Sequence, residues 1–401
     1  MNSDGNIRAL YLQPAAHFGG AERQAATIVP LLRDFGVETV PFVGPGTEIV
    51  EWFHERGLHD DELVHTARFP GKWSEAHGFG RLGRLWRYAR CIWDCRAEVA
   101  RLIREREIDV IFAAMAFSWI TATPVARAFG VPIVWRAGGT ECTRAEQRLL
   151  STWTRWHRPD RLVCNGESVR ALYGPIVRAP SLVIRNGLDA QQFHPGAGDG
   201  SHLRPRHAKL VIGFAGRLVP QKRPEDFIGV AARFAHRDDV AFLLAGDGNK
   251  RAHYEALATR LGARTLHITG FVHEMRDFYA ACDVLVLPSR SEGCPNVVLE
   301  AMAMNVAVVA ADAPATREIV TDQSDGVLYP IGDLDALEHA LALMIDRPDW
   351  RRMLTARGQH RVSRLTAREC AARTAFLLRD IASSRQLRQL PAREQCTELR
   401  A

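Results

Sequence analysis

Apolar residues come in short blocks along this chain, each followed by a polar break and a stretch with helical spacing. Ile7 to Leu12 is such a block, and it opens into the glycine loop Phe18-Gly19-Gly20. From Ala21 to Phe35, the residues Ala25, Ile28, Val29 and Leu32 fall on one face of a predicted helix. Val37 to Val43 predicts a second strand, and Asp109 to Ala113, Val131 to Trp135, Arg161 to Cys164 and Leu182 to Ile184 predict others. Helical stretches lie between them, one ending at Phe129. That alternation is the pattern of a parallel sheet covered on both faces.

A turn-rich stretch from His194 to Arg206, with Pro195, Gly196, Gly198, Gly200 and Pro205, interrupts the rhythm and reads as a linker. The rhythm then restarts. Leu210 to Ala215, Val240 to Ala245, His267 to Thr269, Val284 to Leu287 and Val306 to Ala310 predict strands. Helices are predicted around Pro224 to Ala235, Tyr254 to Leu261, Met275 to Ala280 and Val297 to Met304. The expected organisation is α/β: a Rossmann-like domain over 1–194, a linker over 195–207 and a second such domain over 208–363. A closing helix over 364–385 is expected to pack back on the first domain, followed by a polar tail over 386–401. Two doubly wound domains in tandem are expected to face a cleft, with the carboxyl ends of their strands towards it.

Composition narrows the class. A chain of 401 residues is too long for one ordinary core. The net charge of +6 leans basic, which suits a phosphorylated ligand or an anionic surface without requiring either. The eight cysteines are scattered, with no cluster that completes a metal site, and read as buried free thiols in a reducing compartment. The polar start, Met1 to Asn6, does not read as a signal peptide, and no apolar run reaches the roughly 18 residues of a membrane span. A cytoplasmic enzyme is expected.

The strongest chemical signal runs from Asp283 to Ala303: an apolar strand, a tight loop and a helix opening at Pro295 and Asn296. A helix start of this kind favours a diphosphate, by roughly 0.3–2 kcal/mol from the dipole alone. Glu292 in the loop and Glu300 in the helix would repel that phosphate, so they are better suited to accept hydrogen bonds from sugar and ribose hydroxyls. Taken as spacing alone, the two carboxylates also fit a loop charge and a capping group. A second signal is Gly213-Phe214-Ala215-Gly216-Arg217-Leu218 followed by Gln221-Lys222-Arg223. Cations just beyond a strand can grip phosphates, each charge-assisted bond contributing roughly 1.5–3 kcal/mol, although solvated loop cations would look the same.

The spacing from Glu292 to Glu300 resembles the E-x7-E element of the family-4 retaining glycosyltransferases, which have the two-Rossmann GT-B fold. The similarity extends to Gly19-Gly20-Ala21-Glu22-Arg23, Ile184-Arg185-Asn186-Gly187-Leu188-Asp189, Gly216-Arg217-Leu218 with Lys222-Arg223, Leu244 to Gly248, and Thr269-Gly270-Phe271-Val272. Six motifs in register carry far more weight than one glycine loop. The resemblance implies that Arg217 and Lys222 bind the donor diphosphate and take up leaving-group charge. It implies that Phe271 and Val272 line a nucleobase pocket and that Glu300 holds the ribose hydroxyls. Glu292 would hold the transferred sugar, with the backbone of Gly293, Cys294, Pro295, Asn296 and Val297 against sugar and phosphate. Gly19, Gly20 and Gly216 would let backbone approach the donor or acceptor.

The chain departs from the family in two places. Many relatives carry a histidine at the end of the strand that here reads Asp109-Val-Ile-Phe-Ala-Ala-Met115, and another near Arg136-Ala137-Gly138; both are absent. His17 is the nearest candidate acid–base group, and Cys294 stands where an aromatic is common. No D-x-D metal motif follows a strand; Asp333-Leu-Asp335 precedes a helix and reads as a cap, so neither metal nor cofactor is expected beside the nucleotide-sugar donor.

Between residues 68 and 106, ten Lys or Arg stand against Glu75, Asp94, Glu98 and Glu105, interleaved with Trp73, Phe79, Leu82, Leu85, Trp86, Tyr88, Ile92 and Trp93. Such a segment suits either a helix packed on the sheet with a solvated basic face or an anionic membrane surface and a lipid-linked acceptor. Nucleic acid fits it less well. The expected activity is transfer of a hexosyl or N-acetylhexosaminyl group to a glycan or lipid-linked acceptor of the cell envelope. The rivals are a nucleotide-sugar epimerase or phosphorylase on the same fold, and an inactive donor-binding partner of another transferase.

Overall fold

In the computed structural model, the described residues are 5–13, 19–43, 47–59, 62–65, 81–140 and 142–389. They divide into two compact units, one comprising 1–138, 142–187 and 367–401, the other 139–141 and 188–366.

The first unit runs β1 (Ile7–Gln13), α1 (Gly20–Ile28), a 3-10 turn (Pro30–Phe35), β2 (Val37–Val43), α2 (Thr47–His54), β3 (Val64–His65), α3 (Arg81–Glu105) and β4 (Val110–Ala114). It continues through α4 (Met115–Ala128), β5 (Ile133–Ala137), α5 (Arg144–Trp153), β6 (Arg161–Cys164), α6 (Glu167–Val177) and β7 (Ser181–Val183). The sheet order is β3-β2-β1-β4-β5-β6-β7, with the paired strands parallel. Its strands are buried on both sides, and alternate residues feed two cores. Ile7, Ala9, Tyr11, Val110 and Phe112 face one cluster, whereas Leu10, Leu12, Ile111 and Ala113 face the other. The second cluster is closed by α3 through Cys91, Cys95, Val99 and Leu102, and by α4 and α6. The helix expected over 21–35 is split instead, because Pro30 opens a separate 3-10 turn after Val29.

The second unit runs β8 (Leu210–Ala215), α7 (Pro224–Arg233), β9 (Val240–Ala245), α8 (Arg251–Leu261), β10 (Leu266–Gly270), α9 (Met275–Ala281), β11 (Val284–Leu287) and α10 (Asn296–Ala303). Then come β12 (Ala307–Ala311), α11 (Pro314–Arg317), β13 (Val327–Tyr329), α12 (Leu334–Asp346) and α13 (Pro348–Val362). Its sheet order is β10-β9-β8-β11-β12-β13, again with two apolar faces. Both sheets have the doubly wound order in which the third, second and first strands precede the fourth. The last helix, α14 (Ala367–Gln389), returns to the first unit, where Cys370, Ala371, Leu378 and Ile381 enter the core beside α1 and β1.

The boundary expected over 195–207 falls instead between Gly187 and Leu188. The turn-rich stretch packs on the second unit: the Arg204 guanidinium lies 2.9 Å from Asp283, and Asp277 accepts from the Asp199 amide. At Gly200 a Cβ would lie 2.2 Å from the Ala281 nitrogen, so glycine there serves close backbone packing.

Candidate functional site

In the second unit the chain leaves β8 towards β9 on one side and β11 towards β12 on the other, so the loops after β8 and β11 open onto one crevice. This topological switch point is where doubly wound sheets bind ligands. The loop after β8 is built by backbone bonds to the loop after β9, from the Gly216 amide to Ala245 and from the Leu218 amide to Asp247, each 3.0 Å. The two loops approach so closely that a Cβ on Gly246 would sit 1.9 Å from the Gly216 carbonyl oxygen.

Across the crevice the Lys222 ammonium meets the Glu292 carboxylate at 2.6 Å, with their side chains only 15% and 9% exposed. Gln221 fastens the same loops twice: its side-chain amide donates to the Ser291 carbonyl at 2.9 Å, and its own carbonyl accepts from the Arg290 amide at 3.1 Å. Arg217 is exposed, and its side chain makes no hydrogen bond or ion pair among the described residues. Arg223 is diverted from the crevice into a two-bond pair with Asp226 in the first turn of α7, at 2.6 and 2.8 Å, and this pairing raises its pKa. Of the three clustered cations, Arg217 is thus open to an anion, whereas Lys222 reaches one by exchanging Glu292 for it.

The loop after β11 leads into α10, whose N-cap is Pro295, with no side chain capping the helix. Gly293 and Pro295 are buried, whereas Cys294, Asn296 and Val297 are half-buried. Glu300, the fifth residue of α10, is buried and accepts a 2.7 Å hydrogen bond from the Tyr279 hydroxyl of α9. The structure thus brings Arg217, Lys222, Glu292, Glu300 and the start of α10 to one end of one sheet. The carbonyl of Gly270, at the end of β10, accepts from the Gly246 amide. Beyond it Phe271 stands half exposed with its ring perpendicular to that of His273, and Val272 packs against the core.

In the first unit Gly19 caps α1 and Gly20 begins it. Behind this start lies a buried polar chain in which the Tyr11 hydroxyl donates to Gln13 at 2.8 Å and the Gln13 amide donates to Glu22 at 3.1 Å. Burial pushes the Tyr11 phenol up to about 12. His17 lies outside the described residues. Where a histidine was sought, Ala113 and Ala114 are buried, and Met115 follows at φ +69°, its thioether near the Gln13 amide. At the end of β5, Arg136 donates to Asn186 at 2.9 Å. Asp333 caps α12 by accepting from the Ala336 amide, which is the capping role expected of it.

Two family models cover most of the chain: Glycosyltransferase Family 4 over residues 18–192 and Glycosyl transferases group 1 over residues 209–347. The chain belongs to glycosyltransferase family 4. A D-inositol 3-phosphate glycosyltransferase of Kribbella flavida is 34% identical over 51% of this chain and 52% of its own length. The chain thus matches about half of that relative. A UDP-Gal:α-D-GlcNAc-diphosphoundecaprenol α-1,3-galactosyltransferase of Escherichia coli is 25% identical over 61% of this chain and 68% of its own. The Anabaena protein HepE, solved in complex with UDP-glucose, superposes with a TM-score of 0.75 at 20% identity, over 93% of this chain and 99% of its own. The architecture is the GT-B fold.

Tyr279 and Gln221 were not singled out as site residues from sequence. Gln221 stood beside the cations with nothing to distinguish it, and Tyr279 reads as an ordinary core position in an apolar helix.

Proposed function

We propose that this family-4 chain is a retaining glycosyltransferase that binds a nucleotide-sugar in its second unit. It would pass a hexosyl or N-acetylhexosaminyl group to a glycan or lipid-linked acceptor of the cell envelope, acting in the cytoplasm. The observation that carries the reading is the crevice between β8 and β11. There Arg217 and Lys222 supply positive charge beside an uncapped helix start, and two shielded carboxylates, Glu292 and Glu300, supply acceptors for hydroxyls. The UDP-glucose bound to HepE, and the UDP-Gal and diphosphoundecaprenol-linked sugar in the name of the Escherichia coli relative, support the donor and acceptor classes. The seven free cysteines among the described residues suit a reducing compartment.

In this reading the bond from the anomeric carbon to the diphosphate oxygen breaks as the acceptor oxygen bonds to the same face. The acceptor proton passes to the departing phosphate oxygen. Arg217 and Lys222 stabilise the charge that develops there, and Glu292 leaves Lys222 to hold sugar hydroxyls. No metal is required, since the two cations do its electrostatic work. Calorimetry with uridine, guanosine and adenosine diphosphates, in a metal chelator, tests the site. One of them should bind selectively, and Arg217→Ala and Glu300→Ala should each weaken binding at least about tenfold in protein that stays folded. Wild-type affinity in both variants would overturn the site. The alanines and methionine at the end of β4 favour a second reading, a donor-binding partner without transfer activity. It predicts selective binding with no loss of donor in the presence of any acceptor.

A further inference from the structure

All three tryptophans found exposed among the described residues lie in the helical layer on one face of the first unit's sheet. Trp86 and Trp93 of α3 are 65% and 73% exposed, and Trp156, just past α5, is 64% exposed. Other tryptophans of this layer and of the sheet beneath it are packed against one another, Trp119 and Trp135 buried and Trp153 partly buried. Trp119, Trp135 and Trp153 stack in series, and the Trp119 and Trp135 indoles donate to Ala113 and Thr123 at 3.0 Å. Leaving three large rings in water beside such a stack wastes apolar surface unless something covers them. Leu149 on α5 is 72% exposed as well, and no residue of that helix is fully buried.

Charge says what the cover is. From Arg81 to Trp93, α3 carries four arginines and no acid. Arg87 and Arg90 are exposed, and the Arg90 guanidinium lies over the Trp86 ring at 5.4 Å, so charge and ring are presented together. The open surface between them is formed by Trp86, Ala89, Arg90, Trp93 and Asp94, and Asp94 lies 3.9 Å from the Arg90 guanidinium, which stays 65% exposed. Two turns beyond Asp94 the balance changes: Arg101 is paired with both Glu98 and Glu105. Around Trp156, Arg155 and Arg158 are exposed too. The two parts belong to one surface. Arg96 of α3 donates to the Ile120 carbonyl of α4, and Arg127 of α4 donates to the carbonyls of Trp156 and Arg158.

We propose that this outer face, centred on Trp86, Arg90 and Trp93 and extending to Trp156, docks in the plane of an anionic lipid bilayer. Tryptophan rings settle at the headgroup level while arginines meet lipid phosphates, and a helix carrying both lies along the interface. No helix among the described residues is long and apolar enough to cross a membrane, so this contact is peripheral. A nucleic acid would need rings arranged as a stacking platform, whereas Trp86 and Trp93 are two helical turns apart with Arg90 between them. The docking goes beyond the donor site, which lies in the other unit, and its failure would leave that site untouched.

The test is co-sedimentation of the full chain with vesicles of phosphatidylcholine alone and of phosphatidylcholine containing about one third phosphatidylglycerol. The chain should bind the anionic vesicles only, and raised salt should release it. Trp86→Ser with Trp93→Ser, and separately Arg87→Glu with Arg90→Glu, should each lower the partition coefficient at least about tenfold while nucleotide binding persists. Equal binding to both vesicle types, salt-insensitive binding, or wild-type partition of the variants would overturn the proposal. So would a wild-type dimer in light scattering that the tryptophan variant dissolves, because the face would then be covered by a second copy. The salt arm needs no substitution and remains decisive if a variant fails to fold.

Discussion

Glu300 accepts a hydrogen bond from the Tyr279 hydroxyl at one carboxylate oxygen, and this bond restrains the orientation of the carboxylate. Tyr279 itself is fully buried, with Phe193 and Phe278 against its ring, so it is well placed to set the rotamer of the carboxylate rather than to touch a ligand. Tyr279→Phe keeps the packing and removes the hydroxyl. A neutral-to-charged hydrogen bond of this kind contributes about 1.5–3 kcal/mol when both partners are shielded. The variant is expected to bind the preferred nucleoside diphosphate about three- to tenfold more weakly and to melt several degrees lower, as loss of a buried bond of that strength requires. Undiminished affinity would mean that Glu300 needs no such support. Lys222 and Glu292 present the opposite case, since each satisfies the other in the donor-free protein and both must find new partners when a ligand arrives.

Among the elements, the site depends on loops that are stitched to one another more than on any single helix. Gly246, after β9, donates to Gly270 at the end of β10, and its α-carbon lies against the Gly216 carbonyl after β8. Three consecutive strand ends are thereby held at fixed spacing, and the cations of the β8 loop inherit it. Gly246→Ala introduces a Cβ 1.9 Å from a backbone oxygen at φ +155°, so the backbone must shift. A destabilisation of about 1–3 kcal/mol or more is expected from overpacking of this kind. Denaturant melts would read it, together with lost nucleotide binding at temperatures where the variant is still folded. A variant that binds normally would show that the spacing of these loops is not what places Arg217 and Lys222.

On the scale of the molecule, the first unit is completed by the last helix of the chain. Residues 367–401 belong to that unit although 179 residues of the other, 188–366, precede them. Leu377, Leu378 and Ile381 are buried in its core. Burying three such side chains contributes about 4–9 kcal/mol, a large share of the roughly 5–15 kcal/mol that holds a domain folded. A chain ended at Thr366 is therefore expected to lose the first unit. Limited proteolysis should cut it between residues 19 and 187 while the second unit resists. Wild-type protease resistance and melting temperature would show that α14 is dispensable.

The positions of the strands were legible in the sequence, because strands buried on both faces must be short apolar blocks wherever they lie. Val37–Val43, Leu210–Ala215 and Val284–Leu287 coincide with the expected runs to the residue. The clustering of Arg217 with Lys222, and of Glu292 with the start of α10, was also local enough to read. The short strands Val64–His65 and Val327–Tyr329 were not, since edge strands of two or three residues leave little pattern. The same holds for the crossing at Gly187, because a turn-rich stretch looks like a linker until it is seen packed against α9. Tertiary structure alone decided that Lys222 meets Glu292 across 70 residues of sequence and that Tyr279 lies under Glu300. Local spacing determines which face of a helix or strand a residue occupies, whereas the order of strands in the sheet determines which faces meet.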